Sequence, residues 1–206
     1  MELAGYLLPL LNALWWPFVR NLALLSSAPI VGDALVPLPV RVLLSLVLAF
    51  LLLPVSAGNA EIDPFSLLGV AATVEQAVIG GVIGLALHFS MSVISMVGYL
   101  VSSQIGFAMA QMNDPVNGAS SDVVSLLLSM LTILVFFSID GHLVLAGVMG
   151  ASFKAWPVGQ GYGPLLLQAV AFNAAWIFSA AMLLALPIVF STLVVQIGFG
   201  FLNRVT

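Results

Sequence analysis

Charge is what this chain has least of: 6% of its 206 residues are charged, against roughly 25% in soluble domains, while 62% are hydrophobic. Four cations and eight carboxylates cannot cover the surface of a water-soluble fold of this length, so lipid or other apolar subunits must do the covering. The cations, Arg20, Arg41, Lys154 and Arg204, are scattered, and no basic patch is available to neutralise phosphates, which makes nucleic acid a poor partner. Cysteine is absent, which excludes disulfides, thiolate catalysis and Cys-ligated metals. No HExxH, GxSxG or P-loop pattern occurs. An enzyme, a bound metal and a cofactor are therefore not expected. The first residues, Met1-Glu2-Leu3-Ala4-Gly5, lack the positive region of a secretory signal, so the first apolar stretch is expected to be retained.

What is present is a series of apolar runs separated by short polar breaks. The runs cover residues 6–27, 40–55, 66–103, 123–139, 143–156 and 165–201. A spanning helix needs about 20 apolar residues. The first run fits, the second and fifth are short, and the third and sixth are too long for simple spans, which suggests packed or broken hairpins. The runs are continuous rather than alternating, so β structure is not expected. Gly80-x-x-x-Gly84 and scattered Ala, Ser and Gly permit close helix contact. The expected fold is all-α: membrane-class helical hairpins, some over-long or broken, in one domain over residues 1–206, packed in a hetero-oligomeric helical assembly.

Arg20 and Glu75 stand inside apolar runs. An ionised group at the bilayer centre costs about 2.5–3.5 kcal/mol on insertion scales, so each needs a partner or a place away from lipid. They are either structural charges satisfied by neighbouring helices or by each other, or members of an ion or proton relay, with His88 as a weaker candidate member. Asp140-Gly141-His142 places a carboxylate near an imidazole, as in a membrane-embedded hydrolase. It also reads as a helix–helix turn, with Gly141 supplying positive φ and Asp140 bonding local backbone. The stretch 104–122 is the most informative. Asp114-Pro115 and Asn117-Gly118 are turn chemistry, and Ser121 or Asp122 can cap the next helix. Its first half nevertheless carries Phe107, Met109 and Met112 beside Gly106. Unbranched, polarisable thioethers repack around variable contents, which suits a deformable seal. The same residues also suit a plain continuation of the third helix into its core.

Taken in order, several spacings resemble the FliR family, called SctT in injectisomes. They are Phe18-x-Arg20 followed by Pro29 and Gly32, Val36-Pro37-x-x-x-Arg41, and Glu75 followed by Gly80-Gly81-x-x-Gly84. Gly98, Gln104-x-Gly106, Asp114-Pro115, Asp140-Gly141-His142 and Ser152 continue the series. The resemblance implies a subunit of the flagellar (type III) protein-export gate in the bacterial inner membrane, at the flagellar basal body, whose first part holds FliP-like hairpins. It implies FliP-like and FliQ-like partners, FlhB-like and FlhA-like neighbours, and unfolded export substrates that pass through the gate. One copy would close a ring of FliP-like subunits, and a long interhelical loop would help plug the closed pore. Here that loop falls on residues 106–122, with Phe107, Met109 and Met112 as sealing residues beside Gly106, Asp114 and Pro115. Family members continue past Asn203-Arg204 into a further apolar hairpin, so that hairpin is expected to be truncated or missing. The competing reading is an ion-coupled transporter using Glu75 and His88, although no matching acidic position stands in the second half.

Overall fold

The computed structural model describes residues 2–32, 36–56, 62–105, 111–113, 120–161 and 164–205. Each apolar run has become a helix: α1 (Glu2–Ser27), α2 (Leu38–Ser56), α3 (Leu67–Ile105), α4 (Val123–Ser138), α5 (Gly141–Ala155) and α6 (Pro164–Val205). The all-α class holds with one small addition. Between α3 and α4, β1 (Gln111–Asn113) pairs antiparallel with β2 (Ser120–Asp122), in the register Gln111↔Asp122, Met112↔Ser121, Asn113↔Ser120. Three pairs are too few to impose a readable alternation on the sequence, which is why no strand was expected there. Ser121 and Asp122, expected as helix caps, lie in β2.

The two longest runs are not broken. α3 has 39 residues and α6 has 42. At ~1.5 Å per residue each is about 60 Å long, twice the ~30 Å of a bilayer core. Pro187 lies inside α6 without ending it, and its carbonyl accepts the Ser191 hydroxyl at 2.7 Å. Hydroxyls on the following turn help a membrane helix tolerate the hydrogen bond that proline forfeits. The break expected somewhere in a long hairpin instead falls between α4 and α5, where the chain bends by 69°. Leu38–Ser56, Leu67–Gln104 and Ala175–Arg204 are long and apolar enough to cross a membrane.

The chain divides into two compact units, residues 1–88 with 136–171, and residues 89–135 with 172–206. In the first, Leu24 and Leu25 of α1, Met149 of α5 and Leu48 and Leu52 of α2 form one apolar cluster, joined by Ile83 of α3. A second cluster joins Trp16, Ala72 and Val158. α1 and α3 approach closely because α3 offers no side chain at the crossing. A Cβ on Gly80 would strike the Arg20 carbonyl, and one on Gly84 the Ser27 hydroxyl and Leu24 carbonyl. Ser27 closes the contact by donating to the Gly81 carbonyl at 3.0 Å. In the second unit, Val93, Val97 and Val101 recur every fourth residue along α3 and bury against Ala181 of α6. The Ser95 and Ser129 hydroxyls meet at 2.8 Å, and Ser125 donates to the Ser95 carbonyl, so α3 and α4 are stitched by short polar side chains.

The turn into α5 is as expected, but its parts have exchanged roles. Asp140, not Gly141, takes the left-handed conformation, at φ 56° and ψ 32°. Asp is among the few residues that visit this region readily. Its side chain makes no capping bond; its carbonyl accepts from the Leu143 amide at 2.9 Å. Gly141 is required for space, since a Cβ there would run into the Phe136 ring.

Candidate functional site: a buried charge network

Arg20 lies about two turns before the end of α1 and is fully buried, with Asn21 and Gln76 equally enclosed. A guanidinium in such a place must have its donors met. Here they point in three directions. Nε donates to Gln76 Oε1 at 2.7 Å, Nη1 to Ser152 Oγ at 2.9 Å, and Nη2 to the Trp156 carbonyl at 2.8 Å. The flat face of the group lies over the Phe153 ring, 3.9 Å from its centroid, a cation–π contact that a desolvated site strengthens. Ser152 is fixed in turn, donating to the Met149 carbonyl at 2.7 Å. One side chain thus ties α1 to α3, to α5 and to the segment that leaves α5.

Glu75 supplies the negative charge, but it does not touch Arg20 directly. Gln76 stands between them, accepting from Arg20 through Oε1 and donating through Nε2 to Glu75 Oε1 at 3.3 Å. The second carboxylate oxygen accepts the Gly161 amide at 3.1 Å. Gly161 has φ 76° and Gly159 φ 82°, so the loop reaches the carboxylate through two left-handed positions that glycine adopts freely. Both carboxylate oxygens are therefore engaged, and the network closes on itself. Sequence reasoning found Arg20 and Glu75 and missed the amide that joins them. The available signal was a second polar residue next to Glu75 in an apolar run.

The other candidates are not gathered here. His88 lies thirteen positions beyond Glu75 on the same helix, about 20 Å along its axis and toward a different face, and it is exposed. That separation gives the Glu75–His88 relay no direct step. Asp140 and His142 are both exposed, no hydrogen bond joins them among the described residues, and His142 instead packs against Phe137 with ring centroids 5.8 Å apart. Of the proposed sealing residues, Gly106, Phe107, Met109, Asp114 and Pro115 lie outside the described residues, and Met112 is placed only as the middle residue of β1.

A buried arginine met by three acceptors, with a carboxylate bonded behind it, among helices long and apolar enough to cross a membrane defines a helical membrane protein. Comparison with known proteins refines that class. The family described as "Bacterial export proteins, family 1" matches residues 11–206. The chain is 34% identical over 194 residues to the flagellar biosynthetic protein FliR of Pectobacterium carotovorum, covering 93% of this chain and 73% of that protein. It is 29% identical over 195 residues to FliR of Escherichia coli K12, covering 94% and 74% respectively. The Yop proteins translocation protein T of Yersinia pestis is 26% identical over 147 residues, 70% of this chain and 56% of that one. The chain belongs to the FliR/SctT family of bacterial export proteins.

If the network is structural, Glu75→Gln should lower abundance several-fold and leave the pH dependence of export unchanged. The amide retains one acceptor oxygen for two donors, the Gln76 amide and the Gly161 N–H, and removes the countercharge, and a bond to a charged group is worth about 1.5–3 kcal/mol. Immunoblotting of membranes beside an export assay over a pH series checks this. Normal abundance with a displaced pH profile would favour the relay.

Proposed function

We propose that the chain is a structural, non-enzymatic subunit of the flagellar type III protein-export gate, helping to form and plug the channel for unfolded export substrates. The observation that carries this is a match of the export-protein family over nearly the whole chain, together with flagellar relatives at up to 34% identity. The fold supports an assembled state. α2 and α6 leave large apolar side chains open, among them Leu43, Phe50 and Leu51 on α2 and Leu183, Phe190 and Phe201 on α6. Helices of about 60 Å exceed a bilayer, so lipid alone would not cover them, and other apolar helices are the fitting cover. FliP-like and FliQ-like subunits are the proposed direct partners, with FlhB-like and FlhA-like proteins as neighbours in the inner membrane at the basal body.

The test is assembly. Expressed alone, the tagged chain should aggregate or be degraded; with FliP-like and FliQ-like subunits from the same source it should copurify as one hetero-oligomer of defined mass. A monodisperse monomer or homodimer, indifferent to those subunits, would sink the proposal and return attention to a transporter.

A further inference from the structure

In the second unit, α3 ends at Ile105, immediately before the stretch 106–122. The last four carbonyls of an α-helix have no partner within it, and Gln104 carries one of them. It is met from another helix: Gln196 of α6 donates through Nε2 to the Gln104 carbonyl at 3.1 Å. The packing period of α6 brings Gln196 there. Ala181 and Ala185 are fully buried, Ala181 against Val93, Val97 and Val101 of α3, and Thr192 and Gln196 continue the same face. Past Val101 the contact turns polar, around a groove of about 300 Å³ lined by Gln104, Ser191, Thr192, Val195 and Gln196. The Ser191 and Thr192 hydroxyls donate within α6, to the carbonyls of Pro187, Ile188 and Val189, so the donor that crosses to α3 is the Gln196 amide. The return end of the stretch is held elsewhere: α4 starts at Val123, and its Ser125 hydroxyl donates to the Ser95 carbonyl at 2.9 Å.

We infer that Gln196 is a positioning residue for the sealing segment: by tying the end of α3 to α6 it sets the point from which residues 106–122 depart. The inference rests on the proposed reading of that stretch as the plug. A helix end that loses its cap frays, and one frayed turn moves the departure point by about 5.4 Å, as far as an apolar side chain reaches, so the sealing side chains lose their register at the constriction. One neutral hydrogen bond biases such an equilibrium about two- to tenfold. The tie therefore favours the closed arrangement without locking it, which suits a plug that substrate must displace.

The experiment uses the full chain assembled with FliP-like and FliQ-like subunits, with complex abundance measured throughout. Gln196→Met keeps an unbranched side chain of similar length and removes the donor; Gln196→Lys keeps a donor, and a cation suits a helix C-terminus. In the purified complex, amide hydrogen exchange of the peptide ending at Ile105 should quicken about two- to tenfold in Gln196→Met, and stay near the parent rate in Gln196→Lys. Ion leakage of cells carrying the complex should rise by a similar factor in Gln196→Met and be restored by Gln196→Lys. Ser179→Ala, which removes a hydroxyl bonded only to the Trp176 carbonyl of its own helix, should change neither. Unchanged exchange in Gln196→Met would overturn the tie itself. Faster exchange without leakage would overturn its positioning role, provided that replacing Phe107, Met109 and Met112 by glycine does leak. If that triple variant does not leak either, the plug reading fails and the inference falls with it.

Discussion

Arg20→Met should reduce the chain to a small fraction of its normal abundance and abolish its recovery in any complex. The methionine fills much of the same space, so the loss is electrostatic rather than a cavity. It strands Gln76 Oε1 and the Trp156 carbonyl, removes the contact on Phe153, and leaves the Glu75 carboxylate enclosed with no cation beside its amide neighbour. Breaking a buried charge pair from one side costs about 3–5 kcal/mol, against a total stability of about 5–15 kcal/mol for a typical domain. Arg20→Lys should rescue little. One ammonium on a flexible stem does not reproduce a planar fork that serves three acceptors on three different elements while stacking on a ring. Removing both charges should do better than removing one: Arg20→Met with Glu75→Leu should regain part of the lost abundance, because replacing a buried pair by apolar groups is often close to neutral. Membrane abundance and protease resistance of the four proteins, measured side by side, check the order. Arg20→Met at normal abundance would remove the network from the list of things that hold this fold together.

The helices were legible because hydrophobic burial is written in composition. The run expected at 40–55 is α2, Leu38–Ser56, and the run expected at 66–103 is α3, Leu67–Ile105. Their continuity was not, because nothing local marks an unbroken 42-residue helix off from two shorter ones joined at Pro187. The candidate site was half legible. Isolated charges in apolar runs announce that partners exist, but the partners of Arg20 come from positions 56 to 136 residues away, and only tertiary packing selects Gln76, Ser152 and the Trp156 carbonyl. Gly80 and Gly84 were readable as a contact face, since small residues four apart have few other uses in an apolar helix. The unmet Asn21 had no signal at all. An asparagine beside a buried arginine reads as one more member of its network, and only the structure shows its amide making no bond there.

Replacing Phe107, Met109 and Met112 together by glycine should raise ion leakage through the assembled gate without preventing assembly, if residues 106–122 plug the pore as the family resemblance implies. On either side of residues 114–119, β1 and β2 pair antiparallel, which sets Asn113 opposite Ser120. Met112 pairs with Ser121 in that ladder, which fixes its backbone. Apolar side chains at a constriction make a passing ion shed its hydration shell, an expensive step in a narrow apolar ring, while offering an unfolded substrate no salt bridge to break. Thioethers add compliance, since an unbranched side chain with several rotatable bonds conforms to whatever displaces it. Glycine removes the apolar bulk and loosens the segment together. The readout is conductance or small-molecule permeability of cells carrying the variant complex, with complex abundance measured in parallel. Leakage should rise several-fold at normal abundance. Unchanged leakage would remove the sealing role from these three side chains and assign it to other subunits; the family membership, which rests on the match over residues 11–206, would stand.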